Sequence, residues 1–290
     1  MFSSCSLWFS YSINVTILLA SCGYTFSPAE IFLIRWQQSH LVGNSWWPFH
    51  MRLATFFVVI SFLLFLKGCF RLVLGSLFLP AFVVFFLWTR DVSRERVFQG
   101  NHSRLVAARL KWGLIWFLFS EVWFFFGIFW SFFHARVSPI TTGNITWPLV
   151  GLDIIPPFQV PLLNTIVLLI SGVTATLSHH EVLAGKKSRW LFYSLLLGVY
   201  FLILQGIEYY SSMFSISSRV FGSLFFLGTG FHGFHVCLGA AMLSISFLRV
   251  EGNKLSLRHH FLLEFSLWYW HFVDVVWLFL FFWIYTWGSW

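Results

Sequence analysis

Charged side chains are scarce. Asp, Glu, Lys and Arg make up 10% of the 290 residues, against about 25% in a soluble domain, so the chain lacks the groups to coat a water-facing surface. Cysteine offers no scaffold either. Cys5, Cys22, Cys69 and Cys237 stand alone, with no CxxC or CxxxC pairing, which argues against a disulfide framework or a thiolate metal site. No Walker loop, nucleophile elbow, copper-type Cys/His cluster or paired-His haem pattern on two helices is present. A redox centre within this chain is therefore not expected. No basic segment precedes the first apolar stretch, so a cleaved signal peptide is not indicated.

What is abundant is aromatic and aliphatic. Hydrophobic residues reach 58%, with 39 Phe and 17 Trp, and the mean hydropathy is +0.79. Lipid is the expected solvent. The net charge of +8 raises nucleic acid as a partner, but the charges sit in short clusters between long apolar runs, with no basic helical face. No nucleic-acid function is expected.

A hydrocarbon core of about 30 Å takes about 20 apolar residues of helix. Such runs lie near 47–67, 70–89, 104–135, 158–183, 190–214, 219–248 and 259–287, giving an all-α integral membrane protein with seven transmembrane helices. An eighth apolar stretch, 7–22, is interrupted by Ser10, Ser12, Asn14 and Thr16 and reads as interfacial or partner-packed. The domain reading is an N-terminal extension, 1–46, interfacial or an extra helix, followed by a seven-helix domain, 47–290.

The charges give direction. Seven spans put the N-tail and the loops 90–111, 184–190 and 249–258 on one side, with Arg35, Arg90, Arg94, Arg96, Arg104, Arg109, Lys111, Lys186, Lys187, Arg189, Arg249, Lys254 and Arg258. The other side holds only Lys67, Arg71, Arg136 and Arg219, while Arg52 falls inside the first span. That bias places the N-terminal side of the domain toward the negative compartment.

Ionisable residues inside spans are functional candidates by default. Glu121 sits alone in WGLIWFLFSEVWFFFGIFWSFF. Two readings stand for it: a hydrogen bond to a neighbouring helix, or a proton-exchanging or lipid-facing carboxyl. On the same helix Gly113, Ser120, Gly127 and Ser131 form a small-residue stripe, expected as a packing seam. In the sixth span Gly228, His232, His235 and Gly239 share a face (i, i+4, i+7, i+11). There haem or metal ligation competes with hydrogen bonding across a tight crossing. His260, Glu264, His271 and Asp274 share a face of the last span, which reads as a hydrogen-bonded polar seam rather than a metal site, because it is not HExxH. Gln205/Glu208 and His179/His180 lie near span ends, where snorkelling or head-group contacts suffice.

The strings SEVWFFFGIFWSFFHARVSP (120–139), LLNTIVLLISGVTATLSHH (162–180), YFLILQGIEYY (200–210), FGSLFFLGTGFHGFHVCLGA (221–240) and HHFLLEFSLWYWHFVDVVWLFLFFWIYTWGS (259–289) resemble subunit III of the haem–copper cytochrome c oxidases. RDVSRERVFQGNH (90–102) and Trp47-Pro48 fit the same pattern, so the likeness runs in order from about 47 to 289. The resemblance implies a two-plus-five helix arrangement around a V-shaped, lipid-filled cleft. It implies a subunit with no haem or copper of its own, those cofactors belonging to partner subunits. Its partners would be the catalytic subunit I, subunit II, accessory subunits and bound phospholipids. It also implies support of proton uptake and of durability in turnover, and a lipid path for oxygen. By motif, Arg94, Glu95, Phe98 and His102 would lie near lipid head groups, with Glu121 facing that region.

Some positions depart from the family pattern. Thr89 stands for the second Trp of WWRD, Asn101 for the first His of an HH pair, and Ser218-Arg219 for the usual Asp-Gly before the sixth helix. A free-standing transporter is the competing function, and it would show inverted repeats and helices broken at midplane. The Phe and Trp usage and the lack of a presequence suggest the mitochondrial inner membrane, with a bacterial plasma membrane as the alternative.

Overall fold

The computed structural model describes residues 40, 43–66, 78–97, 100, 103–138, 154–252 and 260–289. Among these residues lie seven long helices and no strand: α1 Trp47–Leu66, α2 Phe78–Val97, α3 Arg104–Val137, α4 Val160–Leu183, α5 Trp190–Ser211, α6 Arg219–Glu251 and α7 Phe261–Leu280. After Leu280 the helix loosens into a π-turn over Phe281–Thr286, then tightens into a 3₁₀ turn over Trp287–Ser289. The chain divides into two compact units, 1–112 and 113–290. The first holds α1, α2 and the start of α3; the second holds the rest of α3 and α4–α7.

Local chemistry fixes the helix ends. Pro48 and Pro161 occupy first-turn positions of α1 and α4, where a missing N–H leaves nothing unpaired. Ser103 caps α3, its Oγ accepting the Val106 N–H at 3.4 Å, as a helix N-terminus favours. α4 stops two residues before Gly185, whose φ of +75° lets the Gly185 N–H reach Val182 O and the Lys186 N–H reach Glu181 O, both at 3.0 Å. That is the glycine-terminated helix end expected where a left-handed residue is required.

Five helices (α3 to α6, and α7 with its π-turn) are long and apolar enough to cross a membrane. α1, at 20 residues, matches a core of about 30 Å at about 1.5 Å per residue. The expected span boundaries need correction at two loops. The loop placed at 90–111 is largely helix: Arg90, Arg94 and Arg96 ride on the last turns of α2, and Arg104, Arg109 and Lys111 on the first turns of α3. α3, with 34 residues, overruns the hydrocarbon, and nothing in the head-group layer breaks a helix whose basic side chains can snorkel outward. Likewise α6 continues to Glu251, past the expected loop start at 249. The expected extra stretch at 7–22 lies outside the described residues.

In the second unit α4 packs along α5, α5 on α6, α6 along α7 and α7 back on α4, closing a four-helix ring. Trp270 of α7 is the central wedge, with no exposed surface. Its ring occupies the space where side chains on Gly198 (α5) and Gly239 (α6) would stand: a Cβ there would come within 2.5 Å and 2.8 Å of it. Its indole N–H donates to Ser171 Oγ of α4 at 2.9 Å. One residue thus touches all three neighbouring helices. Two turns further along, Trp277 donates to Thr165 Oγ1 at 3.0 Å and meets Phe201 edge-on at 4.8 Å. α3 joins through large side chains, including Phe125, Ile128 and Phe132, all buried.

The stripe Gly113, Ser120, Gly127 and Ser131 makes no seam with the other helices of the second unit. All four are exposed, and no heavy atom lies within 4 Å of where a Cβ on Gly113 or Gly127 would stand. The packed face of α3 is instead Leu114, Phe125, Ile128 and Phe132, at the 3.6-residue period.

The departure at Ser218-Arg219 has a backbone consequence. Arg219 sits at φ +55°, a left-handed conformation that costs an L-residue about 1–2 kcal/mol. A serine knot holds it there: the Ser215 N–H donates to Ser218 Oγ at 2.9 Å, and the Ser218 N–H to Ser215 O at 2.9 Å. Arg219→Gly relieves the strain while adding unfolded-state entropy. The expected net gain is about 0.5–1 kcal/mol, read as slower thermal loss of the chain from its purified complex.

Candidate functional site

Glu121 and His235 meet between α3 and α6. His235 Nε2 lies 2.8 Å from Glu121 Oε2, and His235 Nδ1 lies 2.7 Å from the Phe231 carbonyl oxygen. A carbonyl only accepts, so Nδ1 carries a proton and donates it to Phe231. The Nε2–Oε2 contact then holds a single proton: either the neutral acid donates to the imidazole, or the imidazolium donates to the carboxylate. The pair is largely enclosed, with 8% and 21% of the two side chains exposed. Phe125 stands edge-on to the imidazole at 5.1 Å and Tyr269 stacks beside it at 6.2 Å. Glu121 falls on the packed face of α3 with Phe125 and Ile128, one helical turn from the former. Both residues stand out in the sequence as ionisable groups inside apolar helices, but nothing in one chain specifies which helices adjoin.

His232, one turn before His235, is core. Its Nε2 donates to the Val273 carbonyl at 3.2 Å, and its ring lies against Phe201 and Trp277. On α7, His260 Nε2 lies 3.1 Å from Glu264 Oε1 and His271 Nδ1 lies 3.9 Å from Asp274 Oδ2. Both pairs face α4. The His179 ring is 6.3 Å from that of His260, Thr176 Oγ1 is 3.3 Å from His271 Nε2, and Asp274 fills the space that a side chain on Gly172 would need. Among the described residues no group of three or more His, Cys, Asp or Glu side chains has a geometry able to hold a metal ion.

In the first unit, Trp47 of α1 donates its indole N–H to Asp91 of α2 at 3.1 Å, and Arg90 donates to the same carboxylate at 3.0 Å. His40 Nε2 stands 3.2 Å from Glu95 Oε2. Arg94 reaches no closer than 3.9 Å to Asp91 and keeps 59% of its side chain exposed. Beside these residues lies an open concavity of about 400 Å³ walled by Trp46, Trp47, His50, Asp91 and Glu95. Phe98 and His102 lie outside the described residues.

One expectation fails outright. Gln205 and Glu208 are not snorkelling end residues; both are buried, at 4% and 2% exposure. Tyr285 O–H donates to Glu208 Oε1 at 2.5 Å, Gln205 Nε2 donates to the same oxygen at 3.3 Å, and Asn164 Nδ2 donates to Gln205 Oε1 at 3.4 Å. The only sequence signal was the spacing: Gln205 and Glu208 are three apart, hence on one face. Their partners are 41 and 80 residues away from Gln205.

The order of these helices, with Glu121 on α3, the paired histidines on α6 and WYWHFVDVVW on α7, has a counterpart among known proteins. Residues 37–289 match the family model described as cytochrome c oxidase subunit III. The chain belongs to the cytochrome c oxidase subunit III family. It is similar to the cytochrome c oxidase subunit 3 of Anopheles gambiae, 46% identical over 257 residues, covering 86% of this chain and 97% of that one. The subunit 3 of Pisaster ochraceus is 44% identical over 255 residues, with the same coverage of 86% and 97%. That of Drosophila melanogaster is 47% identical over 205 residues, covering 70% and 78%. As a subunit III, the chain is a membrane-spanning part of the oxidase complex; nothing supports a free-standing transporter. Its polar sites accordingly belong to a subunit that works within a larger oxidoreductase.

Proposed function

We propose that this subunit serves cytochrome c oxidase as a non-redox core subunit. It packs on the catalytic subunit I, with subunit II and accessory subunits nearby, while haem and copper reside in those partners. The observation that carries this reading is the ordered match over residues 37–289. Electron transfer from cytochrome c to oxygen, with proton pumping, is then the complex's activity. This chain contributes stability, bound lipid and a supporting role in proton uptake. Co-purification of a tagged chain with a haem-bearing subunit tests it.

The membrane is the mitochondrial inner membrane, with Arg90–Lys111, Lys186–Arg189 and Arg249–Arg258 toward the matrix; the positive-inside bias supports this orientation. In sealed inner membranes, protease, or a thiol label aimed at a cysteine introduced there, is expected to leave these segments untouched when applied from the outer side. Cleavage or labelling there would reverse the assignment.

Arg94, Glu95, Phe98 and His102 form a phospholipid head-group site. Arg94 supports this best, because its guanidinium is mostly exposed and only loosely held by Asp91. It is therefore free to form charge-assisted bonds to a phosphate. Glu95 is turned to His40 and would orient the site rather than bind phosphate. Arg94→Ala is expected to lower the number of phospholipids retained by the purified complex in native mass spectrometry. Unchanged lipid stoichiometry across purification conditions would remove Arg94 from the site.

Glu121 is a proton-linked carboxylate in this reading, supported by the single proton it shares with His235. The polar faces of α6 and α7 (His232, His235, His260, Glu264, His271, Asp274) serve chiefly to lock helices together.

A further inference from the structure

Glu208 presents two unequal oxygens. Oε1 receives both Tyr285 and Gln205, whereas Oε2 is buried with no hydrogen-bond partner. An unpaired carboxyl oxygen in a closed interior is expensive in either protonation state. Glu208 forms part of the wall of a cavity of about 190 Å³ between the start of α4 and the end of α5. Pro156, Gln159, Ser211 and Met213 around it are exposed, so the cavity meets the surface at the end of the bundle opposite Lys186, Lys187 and Arg189.

The walls supply further polar atoms. Ser211 Oγ donates to Glu208 O at 3.1 Å and Ser212 Oγ to Tyr209 O at 2.8 Å, and each hydroxyl keeps acceptor capacity. Gln159, at the N-cap of α4, makes no side-chain capping bond. A cavity holds a water once it offers roughly 10–15 Å³ and a few polar partners, and this one far exceeds that.

We propose that this cavity is a hydration site: a small cluster of water molecules that satisfies the free oxygen of Glu208 and connects it to the aqueous phase at this end of the subunit. Water fits better than a fixed cation or amine for a chemical reason. A charged carboxylate needs a donor at Oε2, a protonated one needs an acceptor for its O–H, and only water supplies either without rearrangement. Through that cluster Glu208 exchanges its proton with the compartment facing the cavity, while Tyr285 and Gln205, the latter braced by Asn164, hold the carboxyl in place from the dry side.

The test uses the intact purified oxidase. A density map fine enough to show water is expected to place one within hydrogen-bond distance of Glu208 Oε2. Millisecond hydroxyl-radical footprinting is expected to oxidise Pro161, which lines the cavity yet is buried. Ser212→Leu, which fills the cavity, is expected to bring that labelling to background while labelling elsewhere on the complex is unchanged. Ser211→Leu replaces it if the first variant does not assemble. An empty cavity, a partner subunit's side chain seated in it, or Pro161 labelling indifferent to both fillings would overturn the proposal.

Discussion

Trp270→Ala is expected to be the most destabilising single substitution in the five-helix unit. The side chain is fully buried and wedges against α4, α5 and α6 at once, through Ser171, Gly198 and Gly239. Its removal opens a cavity at the centre of the ring and strips Ser171 Oγ of a donor. In water, losing a buried Trp costs about 3–5 kcal/mol. Here the unfolded helices remain in lipid, which is as apolar as the core, so the transfer part of that figure is absent and packing remains. A loss of about 2–3 kcal/mol is expected, seen as a lower temperature for dissociation of this subunit from the purified oxidase. Gly239→Ala and Gly198→Ala attack the same fit from the other side, by overpacking, and are expected to cost about 1–3 kcal/mol each. Because all three act on one contact, Trp270→Ala should relieve most of the penalty of either glycine change. Simple additivity of the pairs would refute the wedge.

The second large effect is expected on lifetime rather than on folding. Glu121→Gln keeps volume and a hydrogen bond: the Gln amide donates to His235 Nε2, whose Nδ1 proton stays on the Phe231 carbonyl. What disappears is the proton that can change hands. Structure, subunit occupancy and haem spectra should therefore match wild type, while the active life of the oxidase during turnover shortens and proton uptake slows. Glu121→Leu separates the structural from the protonic share. It deletes the interhelical bond, an interaction that averages about 0.6 kcal/mol inside membranes, and so should lower occupancy slightly as well. Identical decay curves and pumping ratios for wild type and Glu121→Gln at matched occupancy would leave Glu121 as a packing residue.

The helices were legible because lipid imposes a simple rule: about 20 apolar residues per crossing, with positive charge at one set of ends. Helix ends were less legible. Hydropathy falls where the hydrocarbon stops, but the backbone keeps its hydrogen bonds well into the head groups. Arg90 and Arg94 therefore read as loop and stand on α2. Periodicity found the faces of α6 and α7, and the small residues among them do mark tight contact, with Trp270 pressed into the gap over Gly239. On α3 the same signal has no partner within the second unit, where Gly113 and Gly127 look out on open space. A glycine stripe reports that a helix can be approached closely, and the sequence does not say by what.

The polar sites divided in the same way. Glu121 and His235 were each conspicuous as ionisable residues inside apolar helices, but their pairing depends on α3 and α6 adjoining across 114 residues of chain. The position of Glu208 near the end of its span points to snorkelling or head-group contact. Burial there depends on Tyr285 and Asn164 arriving from two other helices, which distance along α5 cannot reveal. Serine at 218 and arginine at 219 were visible as departures from the family pattern. That they leave an arginine at positive φ follows only from the backbone.

The most direct test of the central claim is affinity purification of the tagged chain from its native membrane, with the haem content of the product measured by pyridine haemochrome and compared with that of the chain purified alone. On the proposed reading, in which haem and copper reside in partner subunits, it is expected to bring down a haem-bearing subunit and oxidase activity, while the isolated chain carries no haem. Recovery of the chain free of any haem-bearing partner, or haem retained by the isolated chain, would contradict the account.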